Sequence, residues 1–217
     1  MSITSLKKSA KAALKGKWLI AIGANVIIGV ISGITSYSYY FMFMSLIFVV
    51  LPLEVGLSWF YLDIYDGKDV EIKQLFDGFK NYGKVLGTSL LVWALTLLWA
   101  LLLIIPGIIK GISYSQALYI IRENPEIGTK EAIKESQTLM NGYKGKYLLT
   151  MLSFIGWVLA PVITLFIGIL ALQVNAYYIA VILFIASFIY IICISFYLTP
   201  YFQATMAGFY RELKNNL

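Results

Sequence analysis

Four polar side chains lie within long apolar stretches of the sequence, and they are the residues best placed to do chemistry. They are Glu54, Lys110, Asn25 and Gln116. Glu54 is the only acidic residue in any apolar stretch, and Lys110 is the only basic one. Ionisable groups are costly in hydrocarbon, so within a membrane they usually face a partner or a hydrated cavity. We therefore predict these four residues as the candidate functional positions.

Glu54 and Lys110 are predicted to lie at similar depths. At a rise of about 1.5 Å per residue, Glu54 lies about 14 Å from Asp63, and Lys110 lies about 18 Å from Arg122. The two charges are therefore predicted to pair across a helix bundle or to flank a polar path. In the alternative, each charge avoids hydrocarbon separately. Lys110 then extends outward past Pro106, and Glu54 is protonated.

The residue patterns of common enzymes and metal sites are missing from the sequence. It has no histidine and a single cysteine, Cys193, so neither a zinc site nor an intramolecular disulfide is predicted. Asp63, Asp66 and Asp69 cluster, but their spacing fits no calcium-binding loop, and a solvated group at a helix start is expected. No nucleophile elbow, phosphate-binding loop or dinucleotide fingerprint occurs. We predict a protein that is not an enzyme, without catalytic residues, metal or cofactor.

The composition predicts a membrane protein. Of the 217 residues, 60% are hydrophobic, whereas soluble domains have about 45–50%. Charged residues make up 13%, about half the usual ~25%. A soluble fold of this size could not bury so much apolar surface. The simplest organisation is one integral membrane domain over residues 1–217.

Hydropathy predicts an all-α fold with six transmembrane helices arranged as three hairpins. Pro106-Gly107 is predicted as the turn of the middle hairpin. The fourth helix is short for a bilayer, so either this turn lies earlier or the helix begins below the outer surface. The predicted spans are 18–36, 41–62, 85–105, 108–121, 147–169 and 177–199.

Each hairpin is predicted to follow a cytoplasmic amphipathic helix. The first covers 1–17, the second carries the stripe Ile72, Leu75, Phe76 and Phe79 after an N-cap at Asp69, and the third follows Asn124-Pro125 to about Met140. A glycine and a lysine then precede each hairpin, which predicts a threefold internal repeat with units 1–68, 69–123 and 124–217. Alternatively, any cytoplasmic start of a membrane helix collects lysine and aromatic residues.

The N-terminal amphipathic helix is predicted to lie on an anionic membrane surface. Its apolar side would face the lipid and its ammonium groups the headgroups. A signal peptide is the alternative, but no Ala-x-Ala site follows the apolar stretch, so we expect the segment to be retained. The lysines predicted to meet the headgroups are Lys7, Lys8, Lys11, Lys15 and Lys17.

The basic residues predict the orientation. All 17 lysine and arginine residues except Lys110 fall in segments that six spans place on one side. The positive-inside rule therefore puts both termini in the cytoplasm. Because topology already explains these charges, nucleic acid is not predicted as a partner.

Several motifs resemble those of an uncharacterised integral membrane family of Gram-positive bacteria, a domain of unknown function. They are Pro106-Gly107-Ile108-Ile109-Lys110-Gly111-Ile112-Ser113-Tyr114-Ser115, then Glu123-Asn124-Pro125, Ser153-Phe154-Ile155-Gly156-Trp157 and Phe209-Tyr210-Arg211-Glu212-Leu213. Between Gly168 and Pro200 the chain is longer than the family pattern. The resemblance implies a bacterial plasma-membrane location and supplies no activity.

Two functions fit these features. The first is a transport-type module, or an accessory to a transporter or export system, because hairpins with proline and glycine breaks carry buried ionisable groups. The second is a lipid-sensing or membrane-organising protein that acts through its basic surface helices. The predicted partners are the lipid bilayer, anionic lipid headgroups and other membrane proteins.

Overall fold

A computed structural model describes residues 2–35 and 39–215, and within these ranges the chain is helical and has no β-strand. A π-helical turn, Leu46–Val50, and a 3₁₀ helix, Ile72–Phe79, interrupt the α-helices. The α-helices are α1 Ile3–Ala13, α2 Trp18–Thr35, α3 Tyr39–Ser45, α4 Leu51–Tyr65, α5 Tyr82–Leu102, α6 Ile104–Tyr114, α7 Ala117–Glu123, α8 Thr129–Leu139, α9 Lys144–Leu152, α10 Ile155–Gln173 and α11 Tyr177–Asn215.

Within residues 2–35 and 39–215, five helical stretches are long and apolar enough to cross a membrane. The pair α1 and α2, bent by 93°, makes a sixth if it is one span. The predicted all-α fold with about six apolar helices is therefore confirmed, while the hairpins and the repeat stay predictions. Ser36, the predicted end of the first span, lies outside the described residues. The five stretches are Met42–Tyr65, Tyr82–Leu102, Ile104–Glu123, Lys144–Gln173 and Tyr177–Asn215.

The turn between α5 and α6 lies earlier than Pro106-Gly107. Leu103 is extended, with φ −157° and ψ 133°, and Pro106 sits in the first turn of α6, where a missing N–H costs little. The helical stretch after this turn, Ile104–Glu123, is therefore longer than the predicted span 108–121. Gly107 instead allows close packing, because a Cβ there would lie 2.6 Å from the Cα of Ala100.

The last helix does not end at Thr199, where the last predicted span ends. Helix α11 continues through Pro200 to Asn215, and its 39 residues are about 58 Å long at ~1.5 Å per residue, against a hydrocarbon core of about 30 Å. In its last third, Ala204, Phe209 and Tyr210 are fully buried. Packing of this buried third keeps the helix together beyond the proline.

Burial is concentrated where α1, α4, the 3₁₀ helix, α7 and the end of α11 meet. Phe60, Tyr61, Leu75 and Tyr210 are fully buried in this core. In contrast, most large apolar side chains of α10 are exposed, as are those around the α5–α6 turn. An apolar surface of this extent suits a hydrocarbon environment.

The three amphipathic segments pack on protein through their apolar sides. Leu6 and Ala10 of α1 and its C-cap residue Leu14 are each 0% exposed, so the predicted contact of this side with lipid is wrong. The third segment, α8, begins at Thr129, because the residues after Asn124 form a turn rather than a helix start.

The second amphipathic segment is a 3₁₀ helix, and this changes its buried side. With three residues per turn, residues three apart share one side. Leu75 and Gly78 are therefore buried, while Phe76, which an α-helical period places with Leu75, is exposed. The predicted N-cap is also wrong. The N-cap is Glu71, whose backbone N–H donates to Oε1 of Gln74 at 3.2 Å.

Candidate functional site

Glu54 lines two cavities on α4, and they form the candidate site. The first, of about 440 Å³, lies between α4, α2 and α11. The second, of about 420 Å³, lies between α4, α5 and the α6–α7 region. Both are lined in part by polar side chains. The first contains Asn25, Ser32, Ser195, Thr199 and Gln203, and the second contains Ser58, Ser89, Thr96, Tyr114 and Ser115.

The carboxylate of Glu54 forms no ion pair or hydrogen bond with any residue that the structure describes. Only its backbone carbonyl is engaged, accepting from Oγ of Ser58 at 3.0 Å. In the second cavity, the buried hydroxyl of Ser89 also lacks a hydrogen-bond partner within the described ranges. The Glu54 side chain is exposed on α4, and a buried hydroxyl such as that of Ser89 is usually paired, so these two groups mark a site suited to a polar ligand.

Lys110 does not pair with Glu54. Its ammonium lies 5.0 Å from the centre of the Trp99 ring, a cation–π contact between α6 and α5. Lys110 lines neither cavity at Glu54. The structure thus favours the alternative in which the two charges are accommodated separately.

Asn25 joins α2 to α4 and also faces the first cavity. Its Nδ2 donates to the carbonyl of Ala21 at 2.7 Å and to the hydroxyl of Tyr61. The Tyr61 hydroxyl donates in turn to the same carbonyl at 3.2 Å. Asn25 and Ala21 are on α2, and Tyr61 is on α4. These hydrogen bonds therefore join the two helices whether or not the cavity holds a ligand.

Gln116 lies at the break between α6 and α7 and is 1% exposed. Its backbone N–H donates to Oγ of Ser136 at 3.1 Å, and that hydroxyl donates to the carbonyl of Ser113 at 2.8 Å. Its Nε2 donates to Ser115 at 2.7 Å, while Oε1 has no hydrogen-bond partner among the residues described. Gln116 therefore helps to tie the helix break to α8.

Three of the five N-terminal lysines turn toward the protein. Lys7 donates to the carbonyl of Ser153 at 3.0 Å and lies 3.9 Å from the ring centre of Phe154. Lys11 lies 6.0 Å from the Tyr197 ring. Lys17 donates to the carbonyl of Lys68. Lys8, Lys11 and Lys15 are nevertheless exposed.

A network of ion pairs, not predicted from the sequence, connects the ends of α4, α7 and α11. Asp63 is 2% exposed, and its carboxylate accepts from Arg122 and, at 2.8 Å, from Lys68. Asp66 accepts from Nε and Nη2 of Arg211 at 2.6 and 2.5 Å. The predicted solvated aspartate cluster is thus wrong for Asp63, which is buried and paired.

Glu123 completes the network at the end of α7. It accepts from Arg211, from Lys214 and, at 2.6 Å, from the hydroxyl of Tyr210. Arg122 also lies over the ring of Trp59, 5.3 Å from its centre. One signal was visible in the sequence, because an Arg-Glu pair follows the apolar residues both at Arg122 and at Arg211.

A third cavity, of about 590 Å³, opens beside this network, and we call it the charged cavity. Its apolar wall comes from Trp59, Leu62 and Ile121, and Asn81 and Pro125 lie at its edge. The charged residues that line it are Lys68, Lys80, Arg122, Arg211, Lys214, Asp77 and Glu123.

This fold defines a class of protein: an all-helical chain in which five or six apolar helices have membrane-spanning length. Within that class, the chain belongs to the family described as "Protein of unknown function (DUF975)", whose model matches residues 94–217. The predicted membership in a family of unknown function is therefore confirmed. The occurrence of this family in Gram-positive bacteria stays a prediction.

Relatives of this chain occur in mycobacteria. It is 33% identical over 130 residues to an uncharacterized protein of Mycobacterium bovis and to one of Mycobacterium tuberculosis strain CDC 1551. A protein of Mycobacterium tuberculosis strain H37Rv, also uncharacterized, is 32% identical over the same length. Each match covers 59% of this chain and 39% of the relative, so the chain spans less than half the length of these relatives. No solved structure matches the chain.

Proposed function

We propose that the protein is a non-enzymatic transport-type module of the bacterial plasma membrane, acting alone or as an accessory to a transporter or export system. The observation that carries this proposal is the position of Glu54, whose carboxylate lines two cavities on α4 and pairs with none of the residues described. Glu54 is exposed on a helical stretch of membrane-spanning length, where a charge is costly unless water or a polar solute reaches it. The two cavities give a solute access to Glu54 from both sides of α4.

Interrupted helices beside the cavities support the same proposal. The π-helical turn Leu46–Val50 directly precedes Leu51, which lines the second cavity. The break between α6 and α7 places Ser115 in the wall of that cavity. Transporters commonly bind solutes where membrane helices are interrupted, because the backbone there is available for hydrogen bonding.

The lipid-sensing function is the weaker alternative. Such a function needs an apolar side that enters the lipid, but Leu6, Ala10 and Leu14 of α1 are buried in protein. Of the five N-terminal lysines, the exposed Lys8, Lys11 and Lys15 then remain for an electrostatic contact with headgroups.

Thiol accessibility in membrane vesicles tests the proposal. Starting from Cys193→Ser, single cysteines replace Ser195 in the first cavity and Thr96 in the second. Ile189→Cys is the matched control, since Ile189 is on α11 like Ser195 and 55% exposed on the apolar surface. A charged, membrane-impermeant thiol reagent reacts with the thiolate, which forms in water. We expect both cavity cysteines to react about tenfold or more faster than the control, because a thiol in hydrocarbon stays protonated.

Equal, slow labelling of all three cysteines would show that the cavities are closed to water and would overturn the proposal. Labelling of the cavity cysteines only after detergent extraction would overturn it as well. Addition of Glu54→Gln to each cavity cysteine separates the effect of the charge from that of cavity shape. We expect slower labelling in both cavities, because the carboxylate favours hydration of each.

A further inference from the structure

We propose that the charged cavity binds a phosphate-bearing anion, either the headgroup of an anionic phospholipid or a soluble phosphate. This site is separate from the cavities at Glu54 and does not depend on the transport proposal. It lies between the ends of α4, α7 and α11, at residues that the sequence places on the cytoplasmic side. Basic pockets in this position between membrane helices bind anionic headgroups.

The size and charge of the cavity fit such a ligand. Its volume of about 590 Å³ lies within the roughly 300–1,000 Å³ typical of small-molecule sites. Five of the lining residues described are basic, and two, Asp77 and Glu123, are acidic. Asp63 and Asp66 pair with three of these basic side chains. The whole cluster therefore has five basic and four acidic side chains, and its excess of one positive charge favours an anion.

The ion pairs with protein carboxylates leave donors free for a ligand. Lys80 pairs with Asp77 at 2.8 Å, and its side chain remains 76% exposed. Lys68 pairs with Asp63 at 2.8 Å and is 58% exposed. An ammonium group has three N–H donors, so each of these lysines keeps donors for an anion in the cavity.

The two arginines form the fixed part of the site. The side chains of Arg122 and Arg211 are only 21% and 22% exposed. Buried Asp63 and the bidentate contact of Asp66 hold them in place. A guanidinium fixed in this way is preorganised, and its N–H groups that do not face the carboxylates can donate to the oxygens of a phosphate.

Lysine substitutions at the edge of the cavity test the site without removing the buried pairs. Lys80→Gln and Lys214→Gln each remove one lining charge. Lys73→Gln is the matched control, because Lys73 has the same exposure as Lys80, 77% against 76%, and a similar ion pair, to Glu71 at 2.7 Å. Lys73 is on the same 3₁₀ helix as Asp77 but does not line the cavity.

Binding is measured by calorimetry on the purified full chain in a nonionic detergent at constant ionic strength. The probes are inorganic phosphate and, separately, phosphatidic acid in mixed micelles, with phosphatidylcholine as the lipid control. We expect saturable binding of at least one phosphate probe, weakened about three- to tenfold by each lining substitution and unchanged by Lys73→Gln. Thermal unfolding of each variant shows that it is folded.

The two sources of phosphate give different results. Binding of phosphatidic acid without inorganic phosphate assigns the site to a lipid headgroup, and the reverse assigns it to a soluble phosphate. Two results would overturn the proposal. One is the lack of saturable binding of either probe. The other is equal weakening by Lys73→Gln and Lys80→Gln, which would show that general surface charge attracts the anion.

Discussion

Two prolines inside helices are compensated by tyrosines from other parts of the chain. A proline has no N–H, so the carbonyl four residues earlier loses its helical hydrogen bond. For Pro52 this is the carbonyl of Phe48, which accepts from the hydroxyl of Tyr82 at 3.1 Å. For Pro161 it is the carbonyl of Trp157, which accepts from Tyr190 at 3.2 Å. The prolines are evident in the sequence, but the distant tyrosines are not, because their contacts depend on helix packing.

Removal of one tyrosine hydroxyl tests this compensation. Tyr190→Phe leaves the carbonyl of Trp157 unsatisfied, and we expect a loss of about 1 kcal/mol in the free energy of unfolding. In a Pro161→Ala background, residue 161 regains its N–H and satisfies that carbonyl, so the same substitution should have little effect. Unfolding of the four proteins in detergent measures this double-mutant cycle. Tyr178→Phe is the control, since Tyr178 is 90% exposed, and equal losses in both backgrounds would contradict the prediction.

At the scale of elements, the contact between α4 and the 3₁₀ helix depends on a pair of glycines. A Cβ on Gly56 would lie 1.9 Å from the carbonyl oxygen of Leu75, and a Cβ on Gly78 would lie 2.0 Å from that of Pro52. Both obstacles are backbone atoms, which cannot move aside as a flexible side chain can. The sequence predicts an amphipathic segment here, but not this backbone contact, because glycine has no periodic signal.

Alanine substitutions measure how much the close contact between α4 and the 3₁₀ helix contributes to stability. Gly56→Ala forces α4 and the 3₁₀ helix apart, and we expect it to destabilise the fold by about 3 kcal/mol or more, above the usual range for overpacking. Gly87→Ala in α5 is the control. A Cβ there meets no atom within 4 Å, and alanine favours a helix over glycine by about 1 kcal/mol. Thermal unfolding in detergent compares the two, and similar stability would show that the two elements can separate without cost.

The amphipathic helix α1 shows both the value and the limit of sequence periodicity. The spacing of its apolar residues correctly predicts a helix with one apolar side, which contains Leu6, Ala10 and Leu14. The same spacing suits a lipid surface or a protein surface, so it could not tell which of the two covers that side. In the structure α1 packs mainly on α11.

Truncation of one α1 side chain separates lipid contact from protein contact. Leu14 is 0% exposed and belongs to the core cluster, so Leu14→Ala should lower the free energy of unfolding in detergent by about 2–5 kcal/mol. Leu19→Ala is the control, because Leu19 is 88% exposed and should change stability by less than about 0.5 kcal/mol. An equally small effect of Leu14→Ala would contradict the packing of α1 on protein and would favour its contact with the membrane surface.

The whole molecule has a cyclic order of contacts that the sequence could not reveal. The 3₁₀ helix packs on α4 and α8 packs on α7, so each surface segment lies against the helix that closes the preceding predicted unit. The first surface segment, α1, packs on α11, which closes the last unit. This order is what a threefold repeat arranged around an axis requires, although the repeat itself stays a prediction. The sequence predicts the units but not the contact between the last unit and the first, since α1 and α11 are far apart in the chain.

The sides of the membrane on which the two termini lie show whether α2 crosses it. Helix α2 has 18 residues, about 27 Å at ~1.5 Å per residue, which is close to the ~30 Å hydrocarbon core. With α2 as a span there are six crossings and both termini lie on one side. Without it there are five, and the termini lie on opposite sides.

Reporter fusions at the N-terminus, after Lys84, after Lys146 and at the C-terminus should all report cytoplasm, as the positive-inside rule predicts. A fusion at Asn175 should report the outside. A cytoplasmic C-terminus with an external N-terminus would leave five spans and would remove the first hairpin, and with it the threefold repeat.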